Sequence, residues 1–87
     1  MRIDKFLKIS RLEKRREVAK ELCEDGDVLL NGRPAKPGSE VTEGDEIVLT
    51  RGRRRLTLKI SEVKPYANKE DAGKLYEIVK DETLGGQ

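Results

Sequence analysis

The sequence predicts an α+β fold in which two N-terminal helices pack on a small twisted, mostly antiparallel sheet. Three observations lead there. Apolar residues recur at helical spacing from Arg2 to Asp25, short extended runs replace them after Gly26, and Asn31-Gly32 is a strong two-residue hairpin signal. The 87 residues suit one domain. Residues 1–80 are expected to form it, with a core at 1–50 and a C-terminal extension at 51–80, and 81–87 are expected as a flexible tail.

In the first helix, Ile3, Phe6, Leu7 and Ser10 share one stripe while Arg2, Lys5 and Lys8 lie opposite at threefold spacing. A second helix turns Val18, Ala19, Leu22 and Cys23 inward and ends at Gly26, the expected left-handed stop. Its start is open. Ser10 and Glu13 match a capping box, which supports a start near Leu12, whereas a start near Lys14 makes residues 10–13 a turn. In either case Arg16 and Lys20 share one flank. Asp27–Leu30 then reads as a strand, Arg33–Ala35 as its return, Pro37-Gly38 and Gly44-Asp45 as turns, and Glu46–Thr50 as another strand. Arg51–Arg55 is a basic loop or strand edge. Leu56, Leu58 and Ile60 alternate as in a half-buried strand. Asn68 is placed to cap a helix reaching about Leu75, residues 76–80 read equally as helix or strand, and Thr83–Gln87 as a frayed end.

Composition narrows the function. Charged residues make up 41% of the chain, yet Leu, Ile, Val and Phe number 22 of 87, above the level at which disorder is expected. No apolar run is longer than that at Ile47–Leu49, so neither a membrane span nor a signal-peptide core is expected, and the protein is expected to be cytoplasmic. Histidine is absent and Cys23 is the single cysteine. That removes imidazole bases, triad-type nucleophiles and clustered metal ligands, so an enzyme is not expected and no cofactor is implied. Gly52-Arg53 lacks the spacing of a nucleotide-binding loop. The acidic pairs Glu24-Asp25 and Asp45-Glu46 read as turn residues, not as catalytic carboxylates.

Charge is also segregated. Residues 1–20 carry +5, 21–50 carry −6, 51–64 carry +5 and 65–87 carry −2. A fold that brings the two basic blocks to one face makes a polyphosphate-binding surface. Ion-pair networks of the kind found in heat-adapted proteins explain the high charge but not the blocks.

Four pieces in order, Arg2-Ile3-Asp4-Lys5-Phe6-Leu7, Lys14-Arg15-Arg16 with Ala19, Gly26 and Val28 leading to Asn31-Gly32, and Gly44-Asp45 with Ile47, resemble the RNA-binding domain of small ribosomal protein S-four, the alpha-L motif. The likeness covers roughly residues 1–50. The start, and a tail containing Leu75-Tyr76-Glu77-Ile78, are similar to a stand-alone family, the bacterial ribosome-associated quality control P proteins (RqcP). These are relatives of the fifteen-kilodalton ribosome-binding heat-shock protein. The resemblance implies a non-catalytic factor that binds large ribosomal subunits obstructed by peptidyl-tRNA. It implies contacts to ribosomal RNA and tRNA in support of a tailing factor that adds C-terminal alanines.

By position, the implied RNA-binding residues are Arg2, Lys5, Arg11, Lys14, Arg15, Arg16 and Lys20. Arg33 and Lys36 on the hairpin, and Arg51, Arg53, Arg54 and Arg55, are further candidates. Arginine suits phosphate because its planar fork pairs two oxygens at once. The chain departs from the wider family at Arg15, where many members carry Ser or Thr. Asp4 on this basic face is expected to orient a neighbouring arginine. Phe6 belongs to the core stripe, so binding of single strands by base stacking is not expected.

Two further readings stand beside this one. One is recycling of obstructed subunits without tailing, as in the heat-shock relative, which carries a longer basic tail. The other is a protein-interaction module whose working face is the acidic stretch Glu21–Glu46, with binding insensitive to salt. A monomer is expected, and Arg16→Ala is expected to change stability by less than about 0.5 kcal/mol, as for any exposed arginine.

Overall fold

The first helix, α1 (Ile3–Ile9), buries the predicted stripe: Ile3, Phe6, Leu7 and Ser10 are all buried. A helix N-terminus leaves backbone N–H groups without intrahelical partners. Here the loop that precedes the third strand supplies acceptors, Ser39 O for Ile3 N–H at 2.8 Å and Pro37 O for Asp4 N–H at 3.3 Å, while Asp4 Oδ1 accepts from Lys5 N–H. In a computed structural model that describes residues 1–85, this helix and α2 (Arg16–Glu24) pack against one antiparallel sheet.

Helix α2 starts later than either sequence-based alternative. Ser10 Oγ donates to Leu7 O instead of capping, Arg11 takes a left-handed φ of 62°, and Glu13 N–H donates back to Leu7 O. Residues 10–15 are thereby drawn into a tight connection, and the N-cap is Arg15, whose side chain makes no capping bond. The other end matches expectation. Gly26 has φ +82°, its N–H donates to Cys23 O, and Asp27 N–H donates to Leu22 O, the paired bonds of a Schellman stop.

Strand β1 (Val28–Leu30) returns as β2 (Arg33–Pro34) through Asn31 and Gly32, both at positive φ (51° and 85°), the geometry of a type I′ hairpin. The Asn31 side chain also reaches the third strand, its amide donating to Asp45 and its carbonyl accepting from Glu46 N–H. Strand β3 (Glu46–Arg51) pairs β1 with Val28 opposite Leu49. Strand β4 (Arg54–Ile60) follows through a tight turn at Gly52-Arg53. Helix α3 (Lys69–Ala72) is shorter than expected and is capped by Asn68, whose Oδ1 accepts from Asp71 N–H at 2.8 Å.

Residues 76–80, open between helix and strand, belong to β5 (Tyr76–Thr83). The strand order is β2-β1-β3-β4-β5, every neighbour antiparallel. The expected tail from residue 81 is corrected here: β5 continues through Thr83 because Asp81 and Glu82 pair with Arg54 and Arg55 across the ladder. Residues 86–87 of that tail lie outside the described residues. The core joins Ile3, Phe6, Leu7, Ala19 and Cys23 of the helices to Val28, Ile47, Leu49, Leu58 and Ile60 of the sheet, with Leu75 closing one end. Burying each large apolar side chain contributes about 1.5–3 kcal/mol.

Candidate nucleic-acid interface

The predicted cations of the first block all lie on α1, α2 or the connection between them: Arg2 at the N-cap of α1, Lys5 within it, Arg11, Lys14 and Arg15 in the connection, and Arg16 and Lys20 on α2. The apolar stripe faces the sheet, which leaves these side chains on the outer side of the helix pair. Lys5, Arg11, Lys14, Arg15 and Lys20 make no ion pair among the described residues. Their charges are therefore available to an external anion.

Two arginines are held differently. Asp4 is completely buried, and its carboxylate accepts from Arg2 Nε at 3.3 Å, Arg2 Nη2 at 3.2 Å and Arg16 Nη2 at 3.3 Å. The Arg2 and Arg16 side chains remain half exposed, so each has an anchored inner edge and a solvent-facing outer edge. Burial pushes the Asp4 carboxyl up, but hydrogen bonds from Arg16, the Lys5 N–H and Arg2, together with the Arg16 charge, overcome it. The group titrates below the usual 3.8. The expectation that Asp4 orients a neighbouring arginine is met, with two arginines instead of one.

The β3–β4 hairpin brings only part of the second basic block to this region. Arg51 Nη1 donates to Leu12 O at 2.8 Å and lies 3.5 Å from Glu13 Oε2, which joins it to the α1–α2 connection. Arg54 forms a two-pronged pair with Asp81, and Arg55 a single one with Glu82. Arg54 holds Asp81 below its usual value, and Arg55 does the same for Glu82. These two charges are largely matched within the sheet. Arg53, in the turn, is exposed with no ion partner among the described residues. The run is not a sheet edge, because β4 is flanked by β3 and β5. Arg33 and Lys36 are exposed on and after β2, the opposite edge of the sheet.

Lys8 belongs with the basic face, although it stands outside the family-derived set. Its threefold spacing with Arg2 and Lys5 is the signal in the sequence. Glu13, marked in the sequence only as a capping-box partner of Ser10, is 7% exposed; its Oε1 accepts from Lys14 N–H and its other oxygen faces Arg51.

A family model described as the S4 domain matches residues 1–47. The RQC P-site tRNA stabilizing factor of Halalkalibacterium halodurans is 51% identical over 84 residues, covering 97% of this chain and 96% of that one. The chain belongs to the S4 domain family. Its S4 relatives also include the RQC P-site tRNA stabilizing factor of Bacillus subtilis, 46% identical over 85 residues, covering 98% of this chain and 99% of the relative. Among solved structures, trimeric Vibrio cholerae Heat Shock Protein 15 superimposes with a TM-score of 0.85 at 32% identity, covering 91% of this chain and 81% of that one. The solution structure of a hypothetical protein gives 0.79 at 34% identity, covering 94% and 100%. These likenesses fit the α+β, S-four-like fold read from the sequence.

Proposed function

We propose that the protein is a non-catalytic RNA-binding factor of ribosome-associated quality control that works in the cytoplasm as a monomer. It binds large subunits obstructed by peptidyl-tRNA, holds the tRNA through its helix face, and supports alanine tailing of the stalled chain by a partner factor. The observation that carries the reading is the Asp4 clamp: one buried carboxylate fixes Arg2 and Arg16 side by side on a face that also presents Lys5, Arg15 and Lys20. Preset guanidinium groups meet phosphates without first losing side-chain freedom, which favours a structured RNA of fixed phosphate spacing. The names of the S4 relatives, RQC P-site tRNA stabilizing factors at 51% and 46% identity, support the same role.

Sucrose-gradient sedimentation of tagged protein tests it. Wild type is expected on large subunits carrying tRNA, and Arg16→Ala at the top of the gradient. Phosphate contacts numbering about six to eight give a log–log salt slope of roughly −4 to −6 at ~0.7 per contact. Wild type left at the top at low salt, or binding indifferent to salt, sinks the reading in favour of a protein-interaction module on the acidic face. The second reading, recycling without tailing, rests on the resemblance to the heat-shock relative, whose fold the chain shares. Loss of alanine tails from stalled chains in cells lacking the protein separates the two in favour of the first.

A further inference from the structure

We propose that Tyr66 and the hollow beside it bind a single unstacked nucleotide of the RNA, the base against the tyrosine ring and the adjoining phosphates on Lys8, Arg11 and Lys14. This deepens the RNA-binding reading above and rests on it. Tyr66 is 79% exposed in the segment between β4 and α3, the most exposed of the large hydrophobic side chains. With Lys8, Ile9, Arg11, Lys14 and Ala67 it lines an open hollow of about 350 Å³, within the ~300–1,000 Å³ range of small-molecule sites.

The cations reach that hollow through the break after α1. Lys8, Arg11 and Lys14 are three apart in sequence, the chain turns at the left-handed Arg11, and all three line the hollow. Glu13 lines it too, but it is 7% exposed, with Oε1 accepting from Lys14 N–H and Oε2 lying 3.5 Å from Arg51 Nη1. The three cations make no ion pair among the described residues. An exposed aromatic ring beside three free cations matches the parts of a nucleotide, a π-face and a phosphate. An acidic peptide fits the cations but leaves the ring without a role. The hollow adjoins the basic face, because Lys14 and Arg11 belong to both.

Three measurements on large subunits carrying peptidyl-tRNA test the site. Removing one stacked base is expected to weaken binding about 5- to 150-fold in Tyr66→Ala, while Tyr66→Phe stays within about twofold of wild type. Stacking is uncharged, so Tyr66→Ala is expected to keep the wild-type salt slope, whereas Arg16→Ala flattens it by about 0.7. Benzoylphenylalanine in place of Tyr66 is expected to photocross-link to one nucleotide, mapped by arrested reverse transcription. If Tyr66→Ala binds as wild type does, or the adduct forms on ribosomal protein or not at all, the pocket is overturned while the helix-face reading stands on Arg16→Ala. If wild type itself does not bind, the helix-face reading fails and the pocket fails with it.

Discussion

Asp4 Oδ1 and Arg16 Nη2 meet at 3.3 Å across twelve residues of sequence, the carboxylate fully buried and the guanidinium half exposed. A charge that cannot reach water thus holds one that can. This changes the energetics expected of Arg16 as a plain surface residue, since removing it strips a partner from a buried anion.

Arg16→Ala is therefore expected to destabilise the fold by about 1 kcal/mol, more than the ~0.5 kcal/mol of an ordinary exposed arginine, with Arg2 still covering the carboxylate. Asp4→Asn is expected to cost more, about 1–3 kcal/mol, because an amide N–H then faces two guanidinium groups. Urea denaturation midpoints of the two variants check the order. Midpoints equal to that of wild type would show that the clamp contributes nothing to folding.

Acid stability follows from the same group. The folded Asp4 carboxyl titrates below 3.8, so its contribution is present above that value and is lost as pH falls through the depressed folded value. Wild type is expected to lose stability below about pH 4, and Asp4→Asn to lose less over the same interval. Parallel pH profiles of the urea midpoint would assign the acid sensitivity elsewhere.

Cys23 contributes on the alkaline side. Burial, helped by the Asp4 and Glu24 charges, pushes its thiol from 9.0 up to about 11. The unfolded chain ionises first, so the stability contributed by the neutral thiol is present below pH 9.0 and is lost between there and about 11. Cys23→Ala is expected to remove that loss relative to wild type. Alkylation of Cys23 in the native protein is expected to be slow at pH 8, because the thiol is 4% exposed. Rapid labelling of the folded protein would contradict the burial.

Two glycines in open space separate backbone strain from crowding. A Cβ at Gly26 or Gly73 meets nothing within 4 Å, but Gly26 sits at φ +82° and Gly73 at −69°. Gly26→Ala is expected to cost about 1–2 kcal/mol, and Gly73→Ala to be neutral or to stabilise by up to about 1 kcal/mol. Thermal midpoints that shift together would remove the conformational explanation.

How much of this was legible in the sequence varies with the range of the forces involved. The burial of Ile3, Phe6, Leu7 and Ser10, the Gly26 stop and the Asn31-Gly32 hairpin are local patterns, and each is found where periodicity or turn chemistry places it. The start of α2 is not local. It depends on a positive φ at Arg11 and on Arg51 reaching back to Leu12 and Glu13, contacts no short window contains. The extension of β5 to Thr83 likewise rests on Arg54 and Arg55 finding acids 27 residues onward. In the interface, the basic character was legible and the pairing was not: nothing in the sequence says that Arg54 and Arg55 are matched within the sheet while Lys14 and Arg15 are not.

The dependence of α1 on the loop before β3 sets an order of assembly. Ile3 and Asp4 give their N–H groups to Ser39 and Pro37, and Val41 N–H donates to Met1 O, so chain made more than thirty residues later completes the first helix. Non-local closure of this kind comes late in folding. While the protein is being synthesised, the arginines of its N-terminal end thus emerge well before the scaffold that aims them, and a nascent chain shorter than about forty residues has the charges of the RNA-binding face without its geometry.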